Sequence, residues 1–170
     1  KGTATLNDDT VAGYSSRWPT WFDGRVKPDL VAPGHKLVSE AAANSTLYQE
    51  FPGSIIVGHE NSNLLTLSGT SMAAGVVSGT VALMIEQSRA SFLLARPTSN
   101  AIKAMLQRSA FPLKDATGVT YDRLTQGAGE LNAAGAAQLA GALNPNTLTG
   151  WNWVSAYFSR TTTIDGQVIG

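Results

Sequence analysis

One serine in this chain stands in a setting that suits acyl-transfer chemistry. Ser71 lies within Ser68-Gly69-Thr70-Ser71-Met72-Ala73-Ala74. A short apolar run ends at Leu67, Gly69 permits a close turn, and the small and apolar residues that follow predict a helix. A serine at the first position or cap of that helix can project its hydroxyl into a cleft. Unpaired backbone N–H groups lie beside it. Those amides and the helix dipole suit a developing negative charge, such as the oxyanion of an acyl-transfer intermediate. The same residues also serve a plainer end, because Ser and Thr are ordinary N-caps. Taken alone, the segment favours the cap.

The other groups that could do chemistry are sparse. Cysteine is absent, which removes disulfides, thiolate catalysis and Cys-based zinc sites. The two histidines, His35 and His59, are too isolated to suggest a metal cluster. His35 follows Pro33-Gly34 and reads as an exposed turn residue. His59 lies twelve residues before Ser71 in a loop-like stretch, and a flexible loop could bring it near the serine as a base. A base needs a reach of roughly 2.6–3.2 Å and a third group to orient its ring. Asp8, Asp9 and Asp115 could supply oxygen ligands to a structural calcium, but no dense oxygen-ligand loop is present and solvated turns are the simpler reading. No cofactor is expected.

The elements that would position Ser71 follow from pattern and punctuation. Strands are expected near Thr3–Leu6, Leu30–Ala32 and Leu37–Ser39, with Pro28, Pro33 and Gly34 between them. Residues 40–63 look like an excursion from the core, with a short strand at Ile55–Val57. Leu64–Leu67 leads into the serine segment. From 71 to 88, apolar and small residues fall on almost every face, which predicts a buried helix. Gly75 and Gly79 each cost that helix about 1 kcal/mol against Ala, which suggests tight packing there. Pro97-Thr98-Ser99 reads as a helix start. Ala101, Ile102, Met105 and Leu106 form its inner face, with Lys103, Gln107 and Arg108 solvated. Gly127–Gly129 is a turn, 131–139 is helical, and Asn144-Pro145-Asn146 breaks the chain. The tail from Trp151 to Phe158, running into Thr161-Thr162-Thr163, favours a strand or hairpin, with its tryptophans docked against the domain.

Four segments in order carry a family resemblance. Gly69-Thr70-Ser71-Met72-Ala73 resembles the serine motif of the subtilisin-like (S8) peptidases, where it opens the long central helix. Lys27-Pro28-Asp29-Leu30-Val31-Ala32-Pro33-Gly34 is similar to the family's KPDLVAPG strand and turn. Ala12-Gly13-Tyr14-Ser15-Ser16-Arg17 resembles its phenylalanine-serine-serine element. Gly127-Ala128-Gly129-Glu130-Leu131-Asn132-Ala133 resembles the turn before its last helix. The resemblance covers residues 1–142 and implies the C-terminal part of a three-layer α/β fold. That fold has a mostly parallel sheet and a central buried helix starting near Ser71. Residues 143–170 then form a separate aromatic-rich tail, a docked extension or linker.

The resemblance carries over one catalytic residue, Ser71. The family's triad runs Asp, then His, then Ser along the chain. Its Asp-(Ser/Thr)-Gly and His-Gly-Thr settings do not occur here. Asp8-Asp9 lacks the glycine, and Asp23-Gly24 matches the loop before the KPDLVAPG strand. The family's Pro and His after Gly-Thr-Ser-Met-Ala-x are replaced by Gly75 and Val76, read as a packing variation. The base, its orienting Asp and the side-chain oxyanion donor are expected before Lys1, and the chain reads as part of a longer one.

Composition narrows the alternatives. The chain has 170 residues, 43% apolar, enough for one packed core. Lys plus Arg and Asp plus Glu both number 12, so no basic stripe points to nucleic acid. No apolar run approaches the roughly 20 residues that span a bilayer. Three functions remain. The first is a serine endopeptidase acting through an acyl-enzyme on Ser71, secreted as the resemblance implies, with the N-terminal half of the domain as partner. The second is a catalytically incomplete fragment that acts as an association module, binding that half or a second copy. The third is a small esterase using Ser71 with His59 or His35. The substrate is a polypeptide or an ester.

Overall fold

The computed structural model describes residue 5, residues 8–56, 63–93 and 96–147, and the backbone of 162–164 and 167–169. Strand β1 (Leu37–Glu40) is followed by a short helix α1 (Thr46–Glu50), a 3₁₀ turn at Pro52–Ser54, β2 (Ile55–Ile56) and β3 (Leu64–Leu67). Helices α2 (Thr70–Ser91), α3 (Ser99–Ser109), α4 (Arg123–Gln126) and α5 (Ala133–Ala142) come next, then a hairpin of β4 (Thr162–Ile164) and β5 (Gln167–Ile169).

The α/β class holds, but the sheet that leads to Ser71 is antiparallel. Its order is β1-β3-β2, with Leu37 opposite Leu67 and Ile55 opposite Leu65. A parallel pairing among the described residues occurs as a single bridge, Val31 to Glu130. The Leu30–Ala32 strand is therefore reduced to bridges. Leu30 pairs with Gly127, the Val31 amide donates to the Gly129 carbonyl at 2.9 Å, and the Leu131 amide donates back to Val31 at 2.8 Å. Two of the recognised segments, KPDLVAPG and GAGELNA, thus zip onto each other. The expected strand at 3–6, His59 and the aromatic run 151–158 lie largely or wholly outside the described residues.

The core lies where the helices meet. Met84 (0% exposed), Met105, Leu106, Ala136 and Ala140 form a buried cluster, with Leu30, Val77 and Val81 packed against it. α5 lies on both α2 and α3. Its alanines and Gly141 allow close approach, since a Cβ at Gly141 would meet Gln87 and Ser91 of α2 at 3.0–3.2 Å. The caps follow the sequence. Thr98 accepts from the Ala101 amide at 3.2 Å, and buried Asn132 accepts from the Gly135 amide at 2.8 Å.

α2 corrects one expectation. Its buried residues are Thr80, Met84 and Ser88, a single stripe at fourfold spacing. Gly75 and Gly79 are exposed, and a Cβ at either would meet nothing within 4 Å. Leu83 is 54% exposed. The glycines therefore admit no close neighbour among the described residues. Apolar residues all around a helix show that it is coverable on every face, not which face this chain covers. Gln107 is a second correction. It is half-buried rather than solvated, and its Nε2 donates to the Asp29 carbonyl at 3.4 Å.

Ser88 is 1% exposed, and its Oγ has no hydrogen-bond partner among the described residues. A buried hydroxyl without a partner is a net cost. Ser88→Ala is therefore expected to leave the midpoint of thermal unfolding unchanged or slightly raised. A loss of more than about 1 kcal/mol in the same measurement would mean that the hydroxyl is satisfied.

Candidate active site

Ser71 is placed by a turn at the start of α2. Gly69 caps the helix with φ 156° and ψ 166°, a conformation that favours glycine. Its carbonyl accepts from the Met72 amide at 3.1 Å and the Ala73 amide at 3.3 Å, which starts the helix. Thr70 is then the first helical residue and Ser71 the second. The Ser71 amide makes no hydrogen bond among the described residues. Its side chain is exposed and lines an open groove of about 680 Å³ between α2 and β1, with Leu37, Val38, Leu67, Met72 and Val76. A hydroxyl in a groove, beside an unengaged amide at the positive end of a 22-residue helix, could supply the nucleophile and one oxyanion donor of acyl transfer once a base is added.

The turn is held from behind by the Pro33–Lys36 segment. The Gly69 amide donates to the Gly34 carbonyl at 2.8 Å, and the Lys36 amide donates to Ser68 Oγ at 2.8 Å. The same Gly34 carbonyl accepts from Tyr14 Oη at 3.3 Å. Three of the four recognised segments therefore meet at the base of Ser71, and the fourth meets the KPDLVAPG segment by the bridges above. The sequence reading missed Gly34 and Ser68 as supports. The signal available was a glycine in a turn, which leaves its contact unknown.

The remaining candidates among the described residues do not join Ser71, and His59 lies outside them. His35 is exposed, lies over Tyr14 with ring centroids 6.3 Å apart, and has Nδ1 3.3 Å from Tyr14 Oη. It lines a different hollow, floored by Leu30, Val31 and Val77, whose lining includes Thr70 but not Ser71. Asp23 sits in a surface turn, ion-paired with Arg25 at 3.1 Å. Thr5 Oγ1 donates to Asp8 at 3.4 Å. Asp115 accepts from the Thr117 amide at 2.8 Å, Thr117 Oγ1 at 2.6 Å and the Val119 amide at 3.0 Å, which hold its carboxyl below its ordinary value. That carboxylate serves its own turn. Among the described residues no group of three His, Asp or Glu side chains is placed to hold a metal ion. Nor is any helix among them long and apolar enough to cross a membrane.

Asp29 anchors the KPDLVAPG segment to α3. Its carboxylate pairs with Lys103 Nζ at 2.7 Å and Lys27 Nζ at 2.5 Å. Partial burial pushes this carboxyl up, but the hydrogen bonds and charges of Lys103 and Lys27 outweigh it and hold it below its ordinary 3.8. A depressed carboxylate stabilises the fold above its unfolded value and loses that contribution as pH falls through its folded value. Lys103→Ala should therefore cost less than about 1 kcal/mol at neutral pH, since the pair is half-exposed. Urea denaturation curves of the variant and the unsubstituted protein should converge in acid. A gap that persists at low pH would show that Lys103 acts through packing instead.

Comparison with known proteins shows the family. The model of the peptidase S8 subtilase family matches residues 2–150. Serine protease AprX of Bacillus subtilis is 37% identical over 131 residues, covering 77% of this chain and 26% of that protein. Pyrolysin of Pyrococcus furiosus is 34% identical over 140 residues, covering 81% of this chain and 9% of that protein. The solved structure of the Clostridium perfringens CspB protease superposes with a TM-score of 0.50 at 27% identity, over 73% of this chain and 22% of that one. The chain spans about a quarter or less of each of these relatives, and it belongs to the subtilase family of serine peptidases.

Proposed function

We propose that this chain is the nucleophile-bearing part of a secreted serine endopeptidase. Ser71 Oγ attacks the scissile carbonyl, forms an acyl-enzyme and releases the amine. Water then hydrolyses the ester. The Ser71 amide donates to the oxyanion. The histidine base, its orienting aspartate and a second oxyanion donor come from the N-terminal half of the same domain. The observation that carries this reading is the exposed Ser71 at the second position of α2, its amide unengaged and its hydroxyl in the groove.

The uncovered face of α2 supports the partner. Gly75, Ser78, Gly79, Ala82 and Leu83 form an exposed face of small and apolar residues continuous with the Ser71 groove. A surface of this kind is closed by another chain segment rather than by water. On this reading residues 1–170 alone are an association module, and activity belongs to the assembled domain. His35 is disfavoured as an improvised base because it faces Tyr14 in the other hollow.

The test is complementation. Residues 1–170 are assayed for casein and ester hydrolysis alone and after co-expression with the preceding half of the gene product. Activity confined to the co-expressed sample supports the reading. Ester turnover by the chain alone, lost on His35→Ala or His59→Ala, would replace it with the small-esterase reading.

A further inference from the structure

We propose that Gly34 is a positioning residue for Ser71, setting the height of the helix start on which the serine sits. The inference rests on Ser71 as nucleophile and concerns what fixes its position. Gly34 is buried, and its carbonyl accepts the Gly69 amide at 2.8 Å. A Cβ at Gly34 would lie 2.7 Å from the Gly69 carbonyl oxygen, 3.0 Å from Ala73 Cβ and 3.2 Å from the Ala73 amide nitrogen. The first of these is backbone, and it is the oxygen that accepts from Met72 and Ala73 to begin α2. Any side chain at 34 therefore rotates or lifts the peptide between Gly69 and Thr70. Ser71 is two residues on, so both its hydroxyl and its amide move with that peptide.

The two glycines of this clasp differ in kind. Gly69 has room for a Cβ, with its nearest neighbour, Met72 Sδ, at 3.6 Å, but its backbone conformation is one that glycine adopts. Gly34 has an ordinary φ and lacks the room. Ser68 completes the clasp from the other side by accepting the Lys36 amide at 2.8 Å. Displacement of a reacting group by about 1 Å can cost on the order of 10²-fold in turnover while leaving ground-state binding nearly intact.

The experiment uses the full-length peptidase and counts active sites by fluorophosphonate titration. Turnover is expressed per titrated site, so loss of folded protein does not enter. Gly34→Ala is expected to lower kcat per site by roughly 10- to 100-fold with KM nearly unchanged. Ser68→Ala is expected to lower it several-fold, and Ser68→Thr, which keeps the acceptor, to restore it. Equal kcat per site in Gly34→Ala and the unsubstituted enzyme overturns the inference. If Gly34→Ala gives no folded enzyme, Ser68→Ala decides, and per-site turnover equal to the unsubstituted enzyme overturns it. An adduct on a residue other than Ser71 in the unsubstituted enzyme overturns the nucleophile reading and this inference with it.

Discussion

Ser71→Ala should abolish peptide hydrolysis by the assembled enzyme while leaving its fold and stability almost untouched. Ser71 is exposed at the second position of α2, and its hydroxyl makes no hydrogen bond among the described residues. Surface substitutions of that sort change stability by less than about 0.5 kcal/mol, and alanine suits a helix. The kinetic loss is of another order, because without the hydroxyl no acyl-enzyme can form. A loss of roughly 10⁶-fold in kcat is expected, a scale taken from the subtilisin triad itself. Residual turnover from oxyanion stabilisation and binding survives. Initial rates on a chromogenic peptide, read beside thermal unfolding, check both halves. A variant that keeps even a tenth of the activity would remove Ser71 from the chemistry.

Gly129→Ala has the largest expected effect on stability. Gly129 has φ 126°, and a Cβ there would lie 2.1 Å from the Phe111 carbonyl oxygen. The backbone conformation costs an alanine roughly 1–3 kcal/mol, and forcing a methyl into occupied space costs a similar amount. Together they give about 4 kcal/mol, a large part of a small domain's stability. The same move tears at the pairing of Phe111 with Glu130, whose amide donates to that carbonyl at 2.7 Å. Gly118→Ala is the control. It has φ 85° and open space around its Cβ, so the backbone cost acts alone. Chemical denaturation should show Gly129→Ala far less stable than Gly118→Ala. Similar losses for the two would mean that the Phe111 contact relaxes freely.

These predictions show which parts of the molecule were legible in the residues. The glycines at 34, 69, 127 and 129 were visible as turns, and the four-segment resemblance put them in the right order. What they touch could not be read, because each contact is with a segment distant in sequence. Gly127, for example, sits within 2.5 Å of the Pro28 and Asp29 backbone for a notional Cβ. Helix α3 was legible because Thr98 caps it and apolar residues recur on one face, and α5 because its residues are Ala-rich, although its start at Ala133 after the Asn132 cap was placed two residues early. α1 and α4 were not seen. They are five and four residues long, too short for periodicity, although their caps Ser45 and Asp122 were available as signals.

The candidate site was legible as one residue and its local frame. The turn, the helix start and the exposed hydroxyl of Ser71 follow from Gly69-Thr70-Ser71 and the small residues after it. The α2 face was misread for a physical reason. A helix with small and apolar residues on every side reads as buried all round, whereas among the described residues only Thr80, Met84 and Ser88 of it are buried. Among the described residues, the parallel sheet expected from the family is likewise reduced to the Val31–Glu130 bridge.

The most direct test of the central claim is to treat the full-length protein with a fluorophosphonate probe and map the adduct by peptide mass spectrometry. The account predicts one adduct, on Ser71, absent from Ser71→Ala and from heat-denatured enzyme. An adduct on another serine, or none in a preparation that still cleaves casein, would contradict it.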